Sequence, residues 1–307
     1  MRWYLKSTGF KAISALPGGN RLYGFAQAHL TKTTRATAGR VRQKLEVGLE
    51  AWRWLEARGR VPALRQGAVL DFGAGWHPII PLLYYALGVP RQYLLDLAPL
   101  LTPYQIADTV RLFRQLVTTP DLPWRQEFQR LPEMPTAPNA DVTAILKSWG
   151  LSYHAPYPDQ LDQYRGVADV AICTQVLLYI PPAGLRRCFQ IIRDSLKPGG
   201  LFLSTVYLMD LYAHEDFRIT PYNHLKFSGK FWDHWVNSSM MSFNRLKAPD
   251  YLELLREAGF KIVHQEVNAP TPEDYAQLDQ VKVHPEFARY SREELAAKHL
   301  FFVAERP

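Results

Sequence analysis

Two cysteines in 307 residues, at positions 173 and 188, are too few for a disulfide framework. Both fall in apolar surroundings, so buried and reduced thiols are expected. Long apolar runs are also missing. The longest, near VADVAICTQVLLYI (167–180), is too short to span a bilayer and is flanked like a buried strand. No stretch has the uninterrupted apolar core of a secretion signal. Acid is absent from residues 1–45, which carry nine Lys and Arg. Over residues 1–65 the balance is +10, and since the whole chain is +7, the remainder is −3. The basic character belongs to the front of the chain alone. What remains is ordinary for a globular protein, 47% apolar and 21% charged, with enough length for a full core.

The front segment reads as helices. RWYLKSTGFKAISAL, RLYGFAQAHLTK and TAGRVRQKLEVGLEAWRWLEARG each carry apolar residues near helical spacing, with LPGGN as a break. From residue 68 strands alternate with helices. AVLDF (68–72) is a strand, and PIIPLLYYALG (78–88) a helix opened by Pro78 and closed by Gly88. QYLLDL (92–97) is a second strand, followed by a helix opened by Thr102 and Pro103. Residues 118–140 hold five prolines and form an excursion. LSYHA (151–155) is a weak third strand and ADVAICT (168–174) a strong fourth, before a helix through PAGLRRCFQIIRDSL. GGLFLSTVYL (199–208) follows the turn LKPGG as a fifth strand. APDYLELLREAGF is a late helix, and KIVHQEV and KHLFFVAE are the last strands. Such alternation implies a mostly parallel sheet covered on both faces, with ligands beyond the carboxyl ends of its strands.

The first strand runs into VLDFGAGWHP (69–78). Gly73 and Gly75 permit a sharp turn, but the spacing is wrong for a nucleotide pyrophosphate. The third position of G-x-G-x-x-G is Pro78, and Asp71 stands two residues before the first glycine. A carboxylate there repels phosphate and suits a cation. DFGAGWH resembles the first motif of class I S-adenosyl-L-methionine (SAM)-dependent methyltransferases, acid-x-Gly-x-Gly-x-Gly, with His77 in the last glycine's place. Asp96, ending the second strand, matches that family's acid that bridges the ribose hydroxyls, both of which a carboxylate can accept. ADVAICTQVLLYIP is similar to the family's fourth-strand motif, which sets Thr174 and Gln175 facing the cofactor. LRRCFQIIRDSLKPGGLFLSTV and NRLKAPDYLELLREAGFKIVHQEV resemble its later helices and strands.

The resemblance covers about residues 65–265 and the final strand. It implies an α/β, Rossmann-like fold with a seven-stranded, mostly parallel sheet, helices on both faces and the last strand inserted antiparallel. SAM would be the methyl donor, bound by Asp71, Gly73, Gly75, Asp96, Thr174 and Gln175. The expected division is a basic helical extension or cap over residues 1–65 and a methyltransferase domain over 66–307. Relatives acting on small molecules often read Leu-Glu-His-Ile where this chain has Leu177-Leu178-Tyr179-Ile180, so any role of that Glu-His pair is vacant here.

Residues 206–245 are too long for an ordinary connection and hold nine aromatics and three histidines. An insertion at about 207–246 is the expected substrate lid. It is similar to a group of uncharacterised methyltransferases with D-x-aromatic and N-x-L-[KR] patterns, matched by Asp210–Tyr212 and Asn223–Lys226. His214, His224 and Asp210 are the candidate catalytic bases for an alcohol or phenol acceptor. The consecutive His214-Glu215-Asp216 has diverging side chains, so no metal site is expected. H-E-x-x-H, paired C-x-x-C and G-x-S-x-G are all missing.

The expected activity is methyl transfer from SAM to oxygen or nitrogen of a small-molecule or glycan- or lipid-linked acceptor. An RNA methyltransferase, a catalytically silent SAM-fold binding module and a nicotinamide oxidoreductase are the alternatives. The basic residues 1–65 fit three readings: a cap, docking to an anionic surface (membrane or RNA), or an organelle targeting sequence. The expected location is the cytoplasm, with peripheral membrane attachment and organelle import left open.

Overall fold

The computed structural model describes residues 2–14, 16, 36–117, 127–131, 140–157, 162–214, 216–238 and 241–307. The helix expected in RLYGFAQAHLTK and most of the 118–140 excursion lie outside the described residues.

Helix α1 spans Trp3–Ser14 and α2 Ala38–Glu56. In α2, Thr37 caps the start by accepting the Arg40 N–H at 3.3 Å. Val41, Leu45, Gly48, Leu49, Trp52 and Leu55 recur at helical spacing and are buried. After a short α3 (Val61–Leu64) come β1 (Val69–Phe72), α4 (Ile79–Ala86), β2 (Gln92–Leu95) and α5 (Pro103–Val117). Thr102 opens α5 as expected, taking the Ile106 N–H on its carbonyl and the Gln105 N–H on its hydroxyl. Then follow α6 (Val142–Ser148), β3 (Leu151–His154), β4 (Ala168–Thr174), α7 (Pro182–Ser195) and β5 (Leu196–Tyr207). In the inserted region a helical turn, Gly229–Phe231, runs into a π-helical turn, Trp232–Val236. The chain ends with α8 (Ala248–Glu257), β6 (Lys261–Val267), α9 (Pro272–Asp279), α10 (Arg292–Ala296) and β7 (His299–Glu305).

The strands form one seven-stranded sheet in the order β3-β2-β1-β4-β5-β7-β6. β1 pairs parallel with β2 and β4, and β2 parallel with β3. Gly199 N–H donates to the Arg306 carbonyl and Leu208 N–H to that of Lys298. The partner number falls as β5 advances, so β7 is the antiparallel strand. Strand order reverses between β1 and β4, where the carboxyl ends of an α/β sheet open a crevice. The expected fold class is the one observed.

β5 starts earlier than the glycine turn suggests. Arg306 pairs with Gly199 and Gly200 through both backbone groups. Its guanidinium also donates to the carbonyls of Arg193, Asp194 and Leu196 at the end of α7. Helices α3, α6, α9 and α10 were not anticipated.

The chain divides into two compact units. One comprises Thr33–Thr174, Gln190–Ser204 and Ala304–Pro307, the other Met1–Lys32, Gln175–Phe189 and Thr205–Val303. The basic front segment is thus shared, α1 going with the second unit and α2 with the first. Neither Cys173 nor Cys188 is part of a disulfide, and both are buried.

Candidate functional site

In the first unit, β1 is buried along its whole length, flanked by β2 and β4. Asp71 sits opposite Leu94 on one side and Ile172 on the other, and is itself buried. The turn that follows needs its glycines: Gly73 has φ 91° and Gly75 φ 68°, in the left-handed region. Their amides are engaged inside the loop. Gly73 N–H donates to the Leu95 carbonyl at 2.7 Å, and Gly75 N–H to Asp96 Oδ2 at 2.7 Å. The glycines therefore shape the turn, and Asp96 clamps it. Asp96 Oδ1 accepts the Ala98 N–H at 3.3 Å, which leaves lone pairs on both oxygens for further donors.

Three ionisable groups interact here. Burial pushes the Asp71 carboxyl up to about 7, an effect that Lys44 opposes and Asp96 reinforces. Asp96 is also raised by burial, against the amides of Gly75, Ala98 and Leu97. Lys44, on α2, is lowered by burial and held up by the charges of Asp71 and Asp96. It belongs to this cluster, and sequence reasoning had merged it into the basic front segment. Its signal was weak: a lysine one residue before Leu45, beside the buried stripe of an otherwise amphipathic helix. His77, in the place of the family's last glycine, has its Nδ1 3.1 Å from the Thr109 hydroxyl of α5. That hydroxyl in turn donates to the Gln105 carbonyl. Thr174 ends β4 and is buried.

In the second unit, Gln175 has φ 58°, a strained value for a residue with a side chain, and its buried side-chain N–H2 has no hydrogen-bond partner. The inserted region closes on Asp210. Asp210 Oδ1 accepts the Tyr212 N–H at 2.9 Å, and Oδ2 the Asn223 side-chain N–H at 3.3 Å. Asp210 N–H donates to the Pro221 carbonyl at 2.6 Å. The two sequence patterns of this region, at 210–212 and 223–226, are thus joined to each other. Burial raises the Asp210 carboxyl to about 6 against these hydrogen bonds.

Asp210 and His224 line one small pocket with Leu178, Tyr207, Phe243 and Arg245. The pocket is about 20 Å³, room for one water-sized group. His224 is buried, and its Nδ1 has no partner. Burial, with Lys247 and Arg245 nearby, holds its pKa well below the usual histidine value, so the imidazole is neutral. Asn244 fixes the wall: its side-chain N–H2 donates to the carbonyls of Leu177 and Ile180, and its Oδ1 accepts from Leu246 N–H and the Tyr251 hydroxyl. Lys247, fully buried and lowered to about 7, donates to the carbonyls of Leu208 and Ala297. Asn244, Arg245 and Lys247 were not anticipated. His214 lies exposed, outside the pocket. Asp216 pairs with Arg218 and accepts the Trp3 N–H. Among the described residues no group of three or more His, Cys, Asp or Glu could hold a metal ion.

A glycine turn with two buried carboxylates, Asp71 and Asp96, thus lies at the switch point of a 3-2-1-4-5-7-6 sheet. Residues 50–265 match the family described as methyltransferase domain, and the chain belongs to that family, a class I SAM-dependent methyltransferase. Solved structures with a similar fold include a putative SAM-dependent methyltransferase from Listeria monocytogenes, 17% identical, covering 84% of this chain and 99% of that one at a TM-score of 0.43. Another is a SAM-dependent methyltransferase from Mesorhizobium loti, 18% identical, covering 80% and 96% at a TM-score of 0.39. A third is a putative methyltransferase in complex with the Trm112 methyltransferase activator of Haloferax volcanii, 18% identical, covering 88% and 97% at 0.40. No curated protein matches the chain.

SAM is the cofactor of this class, and the residues present fit it. It carries a sulfonium, an ammonium and a carboxylate; the site offers two carboxylates and one ammonium. The unspent lone pairs of Asp96 suit vicinal hydroxyls.

Proposed function

We propose that the enzyme methylates oxygen or nitrogen of a small-molecule or glycan- or lipid-linked acceptor, whose reacting terminus enters the pocket lined by Asp210 and His224. The observation that carries this reading is that His224, whose buried Nδ1 has no hydrogen-bond partner, and Asp210 line a space sized for one hydroxyl or amino group. On the donor side, Asp71 balances the SAM ammonium, Lys44 faces its carboxylate and Asp96 takes the ribose hydroxyls. Thr174 and Gln175 border the donor at the end of β4. Gly73 and Gly75 hold the turn.

SAM supplies an electrophilic methyl, and transfer is an in-line displacement that requires the acceptor lone pair to be aligned and water excluded. His224 accepts the acceptor's O–H or N–H and fixes that alignment. It does not keep the proton, because burial and the Lys247 and Arg245 charges disfavour imidazolium. Asp210, its carboxyl raised by burial to about 6, is suited to base work at neutral pH. His214, solvent-exposed, takes no part in this reading.

The test is formation of S-adenosylhomocysteine with a panel of phenols, alcohols and amines, using wild type, Asp210→Asn and His224→Ala. Turnover should fall about 100-fold or more in both variants, with SAM affinity unchanged. Full turnover by His224→Ala on every acceptor that wild type methylates would refute the assignment.

A further inference from the structure

We infer that the start of α1 and the turn at Phe217 form a docking patch for an anionic lipid surface. The inward side of α1 is spent on the inserted region. Ser7 and Phe10 are buried, the Trp3 ring lies 6.3 Å from that of Trp232 and 5.6 Å from that of Phe227, and Lys11 Nζ donates to the carbonyls of Asp233 and Asn237. The outward side carries almost no charge. Tyr4, Leu5, Thr8 and Ala12 are exposed, with Leu5 at 59% and Tyr4 at 44%. A surface helix ordinarily turns its charged residues outward. Here the outward face is apolar and the cations stand at its margins, Arg2 6.0 Å from the Tyr4 ring and Lys6 over Phe10.

A second segment reaches the same place. Trp3 N–H donates to Asp216 Oδ2 at 2.9 Å, so the 216–218 turn abuts the first turn of α1. Phe217 at its tip is 90% exposed. Arg218 pairs with Asp216 at 2.7 Å and lies within electrostatic reach of Tyr4. Asp216 is thereby neutralised, Glu215 precedes it in the sequence, and residues 1–45 contain no acid. Exposed Leu, Phe and Tyr ringed by Arg and Lys is the composition of a segment lying in the bilayer interface, where apolar side chains enter the acyl boundary and cations meet anionic headgroups.

Charge complementarity selects an anionic bilayer among the occupants. A second copy of the chain would bring the same positive charge, and three exposed side chains fall far short of the ~800 Å² per partner of a stable interface. RNA would gain from the cations and nothing from Leu5. Among the described residues no helix is long and apolar enough to cross a membrane.

The experiment is co-sedimentation of the full chain with vesicles of phosphatidylcholine alone and of phosphatidylcholine mixed with phosphatidylglycerol, in the absence of SAM. Retention on the anionic vesicles alone, weakened by salt, is expected. Leu5→Ser with Phe217→Ser should reduce it about tenfold or more at unchanged melting temperature, and Lys6→Gln about fivefold. Phe217→Ser alone, on an exposed tip, should keep the fold and still weaken retention. No retention on anionic vesicles, equal retention by the Leu5 and Phe217 variants, or a dimer abolished by Leu5→Ser in place of vesicle binding would each overturn the proposal.

Discussion

At the scale of single residues, Asp71, Asp96 and Lys44, the groups proposed to meet the donor, form a balance in which each charge changes the others. Removing the Lys44 ammonium by Lys44→Met takes away the charge that holds the Asp71 carboxyl down. Asp71 should then ionise only at higher pH, and the pH midpoint for SAM binding should move upward, as read by calorimetric titration at several pH values. The turn built by Asp71, Asp96 and the paired glycines was legible because it lies within a few residues of two strand ends; their contact with the donor is the proposal. Lys44 was not, because α2 reaches the site from 27 positions upstream of Asp71 by packing rather than by motif. His224 and Asp210 stood out only as polar groups in an aromatic segment; the tie that joins Asp210 to Asn223 is visible in the folded chain alone.

At the scale of elements, the central strands were legible from their apolar runs, and α2, α4, α5 and α7 from helical spacing and caps. The helices that escaped notice are short, four to eight residues, and carry little periodicity. Two of them nevertheless announce themselves chemically. Thr271 with Asp274, and Ser291 with Glu294, each form a reciprocal capping box. The glycine turn is equally local in its needs. A Cβ at Gly75 would meet nothing nearer than the Gly73 carbonyl at 3.9 Å, so the cost of Gly75→Ala is the left-handed backbone alone. Stability should fall by about 1–2 kcal/mol in denaturant titration. Asn244→Ala should cost about 1–3 kcal/mol, since it strips donors from the partly buried carbonyls of the 177–180 turn.

At the scale of the whole molecule, the sites conflict with stability. Asp71 and Asp210 have folded values of about 7 and about 6, above the ordinary 3.8. Between about pH 4 and pH 7 the folded chain holds protons that the unfolded chain has released, so their contribution declines as pH rises through that window. Lys247, lowered to about 7 from 10.5, has the opposite slope, its contribution growing from about pH 7 upward. Asp274, lowered to about 2, contributes above about pH 4 and is lost as pH falls further. The melting temperature of the SAM-free enzyme should therefore dip near neutrality. SAM at about 100 times its dissociation constant should restore about 2.7 kcal/mol.

The most direct test of the central claim, that Asp71 balances a cationic methyl donor, is calorimetric titration of SAM from about pH 6 to about pH 8 on wild type and Asp71→Asn. Wild-type affinity should drop as pH falls through about 7, with proton release on binding above what the buffer contributes. Asp71→Asn should bind about 10- to 100-fold more weakly and lose that pH dependence. Equal affinity of the two proteins, or a wild-type affinity that ignores pH across this range, would contradict the account.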